Sequence, residues 1–118
     1  MNITRTTSTI AMAALAISAA PALAAGKEDI VGIYAVLSAY MEICVPKEDP
    51  PPIEKVVAVV HAARLAGIDM DSAAFKREAA KRKATLTSTT PLMGTRRWCE
   101  TMKHQVDVDY EVLRAAYP

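Results

Sequence analysis

The chain has 118 residues, 14 Lys and Arg against 13 Asp and Glu, 52% hydrophobic residues and only 5% aromatic ones. A single domain fits this length, and charge so near zero argues against generic nucleic-acid binding, which rests on a clear positive surplus. Alanine-rich, glycine-poor content favours helices, with an interior built mainly from Ala, Val, Ile, Leu and Met.

Residues 1–24 read as a secretory signal peptide. Arg5 is the sole charge before Lys27, Ile10 to Ile17 form a short apolar stretch, and Ala22-Leu23-Ala24 offers the small-x-small pattern of a cleavage site. The apolar stretch falls well below the roughly 20 residues of a bilayer span, so cleavage before Ala25 is expected rather than anchoring. The lipoprotein alternative needs a Cys just after that stretch, and the first is Cys44. The expected product is a periplasmic or secreted domain, residues 25–118. Loss of Arg5 leaves it with equal numbers of acids and bases.

In the first mature segment Ile30, Ile33, Tyr34, Leu37, Tyr40, Met41 and Cys44 recur at helical spacing on one face. Glu28 and Asp29 suit its first turn. Pro46 is expected to end it, followed by the stiff linker Lys47-Glu48-Asp49-Pro50-Pro51-Pro52. A second helix is expected from Pro52 near the first helical position to Gly67. Its Val56-Val57-Ala58-Val59-Val60 run is hydrophobic on most sides, which predicts a central position covered by the other helices.

Asp69 or Asp71 is expected to cap a third helix from about Ser72 to Thr87, with Phe75, Ala79 and Leu86 as a narrow apolar side. The polar stretch from Thr87 to Pro91 reads as a loop. The fourth helix is the longest, with Cys99, Met102, Val106, Tyr110, Leu113 and Tyr117 forming its seam.

Cys44 and Cys99 are the only cysteines, and in an oxidising compartment a structural disulfide is the expectation. Neither a Cys-x-x-Cys nor a neighbouring His pattern points to redox or metal chemistry. Both cysteines fall on apolar helix faces, so the bridge would tie the end of the first helix to the start of the last. The expected fold is all-α, a small bundle of about four helices stapled by one long-range disulfide.

Charge is segregated along the chain. Residues 25–71 carry eight acids and four bases, residues 72–105 eight bases and two acids, and residues 106–118 three acids and one base. The functional expectation is a basic face of Lys76, Arg77, Lys81, Arg82, Lys83, Arg96 and Arg97 that meets an acidic protein partner, with Trp98 as an exposed anchor. The competing reading is a solvated helix flank that pairs with the acidic half of the same molecule, with Trp98 shielding the disulfide in the core. Few bulky residues accompany the third helix's charges, so stable membrane insertion is not expected.

Asp107, Asp109 and Glu111 raise hard-cation binding, calcium or lanthanide, as an alternative. On a helix Asp107 and Glu111 share a face while Asp109 points away, too few oxygens for a coordination sphere. His61 and His104 lack a nucleophile or carboxylate constellation, and no Gly-x-Ser-x-Gly, phosphate loop or His-Glu-x-x-His pattern occurs. No enzyme activity and no cofactor are expected.

In size, leader and cysteine count the chain is similar to small exported acid-stress chaperones. It is similar in the same respects to immunity proteins of contact-dependent secretion systems, with Cys44-Val45-Pro46 ahead of a Pro-led apolar helix. No residue role carries over from either. The two likenesses add a stress holdase and an immunity-type inhibitor as alternative expectations beside the leading one, a non-enzymatic protein-interaction domain.

Overall fold

The computed structural model describes residues 26–45 and 51–118. The expectations placed on the signal peptide, on Ala25 and on residues 46–50 lie outside the described residues. Among those described, the regular structure is helical: α1 (Lys27–Cys44), α2 (Ile53–Leu65), α3 (Ala73–Thr87) and α4 (Thr95–Ala116), with one helical turn, Thr90–Met93, ahead of α4. The chain is an all-α globule of four helices.

Local chemistry sets the helix ends. Glu28 and Asp29 occupy the first turn of α1, and the Gly26 N–H donates to Asp29 Oδ2 at 3.0 Å. Pro52 precedes α2 as its cap, one place earlier than expected. The helix closes where the Ile68 N–H reaches the Ala63 carbonyl and the Gly67 N–H reaches that of Arg64. That pairing requires a left-handed residue, and Gly67 supplies it at φ 73°.

At α3 the cap is neither of the expected aspartates. Ser72 Oγ accepts the Phe75 N–H at 3.2 Å, while Asp69 Oδ1 accepts the Asp71 N–H at 2.9 Å and shapes the turn before it. The expected loop after α3 is more ordered than its composition suggests. The Thr87, Ser88 and Thr89 hydroxyls donate back to the carbonyls of Ala84, Thr85 and Leu86, two of which, Ala84 and Leu86, also accept the Ser88 and Thr89 N–H groups. Pro91 then sits in the first turn of Thr90–Met93, where its missing N–H is harmless.

The central helix is α1, on which α2, α3 and α4 all pack, while α2 and α4 also touch each other. The main core joins Ile30, Leu37, Tyr40 and Val45 to Val59, Ala62 and Ala63 of α2 and to Val106 and Leu113 of α4. On another flank of α1, Val31 packs with Phe75 and Ala79 of α3, and the Tyr34 and Phe75 rings stand 5.3 Å apart. Gly32 faces α3, where a Cβ would stand 2.9 Å from Arg82 Nη1, and Ala35 and Ala39 of the same helix are fully buried.

The expectation that the second helix is central is therefore corrected. Only its Val59, Ala62 and Ala63 are buried, whereas Ile53, Val57 and Leu65 are 66%, 59% and 59% exposed. The apolar residues around α2 exceed what α1 and α4 cover.

Cys44 and Cys99 form a disulfide with Cα atoms 5.7 Å apart, joining the last residue of α1 to the first turns of α4. A polar tie adds to the α2–α4 contact. Lys55 Nζ lies 3.3 Å from Asp107 Oδ1 and 5.3 Å from the centre of the Tyr110 ring.

Candidate protein-interaction face

The bundle divides the basic residues of α3 into two sets. Helical spacing turns Phe75, Ala79, Arg82 and Leu86 toward α1 and leaves Lys76, Arg77 and Lys81 facing outward, separated by Ala73, Ala80 and Ala84. All six outward residues are exposed, and the three cations form no ion pair with any described residue.

Arg82 and Lys83 depart from the expected face because they hold α3 against α1. Arg82 Nε reaches Glu78 Oε1 at 3.1 Å, and its Nη1 donates to the Glu28 carbonyl at 3.0 Å. Lys83 Nζ pairs with Glu42 of α1. For these two residues the intramolecular reading holds. Arg96 is almost free in solvent, 3.7 Å from Glu100 Oε1 one turn on, and Arg97 is exposed without an ion pair among the described residues.

Trp98 cannot act as a surface anchor. It is 0% exposed, and its indole N–H donates to the Leu86 carbonyl at 3.2 Å and to Thr89 Oγ1 at 3.0 Å. The indole thus fastens the start of α4 to the chain leaving α3, beside the disulfide. Burying a Trp requires a partner for its N–H, and two oxygens serve that role here. No sequence pattern signalled those acceptors, since they come from the end of α3 and the following turn.

Between α1, α3 and α4 lies an open cleft of about 640 Å³, lined by Gly32, Ile33 and Arg82 together with Gln105, Asp109 and Val112. Burial raises the pKa of the Asp109 carboxyl, against the lowering effect of the hydrogen bond from Gln105 Nε2 at 2.8 Å. The neighbouring acids are occupied: Asp107 by Lys55, and Glu111 by Arg114 at 3.5 Å. Among the described residues no group of three or more His, Cys, Asp or Glu side chains could hold a metal ion. His61 and His104 are both exposed, and His61 Nε2 sits 3.3 Å from the Pro118 carbonyl oxygen.

Among the described residues no helix is long and apolar enough to cross a membrane. No family model, no curated protein and no solved structure matches the chain.

Proposed function

We propose that this chain is an exported, non-enzymatic protein-interaction domain that docks an acidic partner surface through the outer face of α3. The observation that carries this reading is the separation of roles within one run of charges. Arg82 and Lys83 turn inward and fix the helix, while Lys76, Arg77 and Lys81 project outward with no counter-charge among the described residues. Cations on a docked helix form a patch that speeds encounter with an anionic partner and selects against cationic ones. The alanines between them let a flat surface approach closely. The signal-like residues 1–24 and the Cys44–Cys99 bond support export to an oxidising compartment.

The test is a charge reversal confined to the outer face. Lys76→Glu, Arg77→Glu and Lys81→Glu together leave every described hydrogen bond and ion pair intact, so the circular dichroism spectrum should not change. Immobilised wild-type protein is expected to capture an acidic protein from an extract of its own compartment, in a salt-sensitive manner. The triple variant should lose that capture. Equal capture by both proteins removes the reading.

A further inference from the structure

Both α3 and α4 pack on α1 but barely on each other, and they meet where the Trp98 indole reaches the Leu86 carbonyl. Beyond that corner the α4 residues from Gln105 to Val112 stand across the cleft of about 640 Å³ from Arg82 and Leu86. Its walls are apolar where they could have closed on one another. Leu86 of α3 and Val112 of α4 join neither core cluster, and Ile33 and Val36 of α1 line the same space, each only partly buried. A concavity with apolar walls and a few polar groups is the usual form of a small-molecule site. The polar groups here are unequal in sign. The Arg82 guanidinium is already engaged, by Glu78 at 3.1 Å and by the Glu28 carbonyl at 3.0 Å. The carboxylates of Glu28, Asp29 and Asp109, which also line the cleft, make no ion pair with any described residue.

We propose that this cleft binds an aliphatic polyamine, its methylene segments along Ile33, Val36, Leu86 and Val112 and its ammonium groups on Asp109 and on Glu28 and Asp29. Charge complementarity selects this occupant. An anion or a neutral apolar molecule would leave the three carboxylates unmet. A metal ion needs several oxygens at one point, and no group of acids among the described residues could hold one. Ammonium groups spaced by methylenes suit carboxylates that stand on different helices with apolar side chains between them. Asp109 is the strongest of the three contacts. Its carboxyl is half-buried, burial already disfavours its charged form, and an ammonium beside it is screened less than one at the open surface. None of the outward cations Lys76, Arg77 and Lys81 lines the cleft, so this site is separate from the basic face.

The test is titration calorimetry of the exported protein, its Cys44–Cys99 bond intact, against spermidine in about 0.15 M salt. One-to-one binding with a Kd below about 100 µM is expected. Asp109→Asn keeps an oxygen for the Gln105 amide and should weaken binding about tenfold. Val112→Lys puts a cation into the cleft from a position outside the core clusters, and should abolish binding with an unchanged helical spectrum. A neutral aliphatic diol of the same length should not bind, and magnesium equimolar with spermidine should not displace it. Absence of spermidine binding overturns the proposal. Binding indifferent to Asp109→Asn or to Val112→Lys would be diffuse attraction to surface acids and overturns it as well. So does a diol that binds equally well, or displacement by equimolar magnesium. Capture of an acidic protein by α3 uses other residues, so either reading can fail without the other.

Discussion

Gly32 and Arg82 show how one residue's chemistry is decided by another helix. A glycine inside a helix forgoes about 1 kcal/mol relative to alanine. A Cβ at Gly32 would stand 2.9 Å from Arg82 Nη1, the atom that donates to the Glu28 carbonyl. The obstruction is the tip of a flexible side chain, so it would move aside and the hydrogen bond, worth about 1 kcal/mol, would be lost. Gly32→Ala should therefore be neutral within about 0.5 kcal/mol in the wild type and stabilising by about 1 kcal/mol in an Arg82→Ala background. A urea-denaturation cycle checks this, and equal effects in both backgrounds would refute the coupling. The sequence did separate Arg82 from Lys81, since Arg82 stands seven residues after Phe75, three after Ala79 and four before Leu86, on the apolar side of α3. It gave no sign of the acceptor, the Glu28 carbonyl 54 positions away. Trp98 posed the same problem, because its neighbours Arg96 and Arg97 are exposed while its two acceptors lie 9 and 12 residues away.

At the scale of elements, the helices differ in how firmly they are held. The buried side chains of α1 face in several directions, whereas α3 rests on a small cluster formed by Val31, Phe75 and Ala79 plus the polar ties of Arg82 and Lys83. Local opening follows the amount of apolar contact an element makes, so α3 amides should exchange with solvent faster than those of α1. Phe75→Ala removes most of the α3 anchor and should cost about 3 kcal/mol, in the usual range for such truncations. Hydrogen exchange read by mass spectrometry should show that loss concentrated in α3, with the α1 amides still protected. Uniform acceleration across all four helices would mean that α3 is no separable unit. The four helices themselves were legible because apolar residues recur at three and four, and both cysteines fall on those seams. The position of α2 was not. Apolar residues on every side of a helix read the same whether a neighbour covers them or not, and Val56 to Val60 gave no sign that two of its valines face solvent. The signal for a central α1 lay instead in Gly32, Ala35 and Ala39, whose small side chains a scan for large apolar residues passes over.

Across the whole molecule, the disulfide does what no single helix contact does. The two cysteines are 55 positions apart, and the segment between them contains all of α2 and α3. Closing a loop of that length removes conformational freedom from the unfolded chain worth roughly 4 kcal/mol. The net stability of a folded domain is only about 5 to 15 kcal/mol, so this share is large. The bridge also works with its neighbour: it fixes Cys99 while the buried indole of Trp98 holds the same turn to the end of α3. Replacing both cysteines with serine should therefore lower the unfolding free energy by about 4 kcal/mol and the midpoint temperature by roughly 15 °C or more. As the only tryptophan, Trp98 reports on that corner directly. Its fluorescence should shift to the red at lower denaturant than the loss of helical circular dichroism if the start of α4 loosens first, and together with it if the domain stays cooperative. A stability loss below about 1 kcal/mol would show that the apolar seams hold α1 and α4 together unaided, since the entropic effect of so long a loop could not then be reaching the native balance.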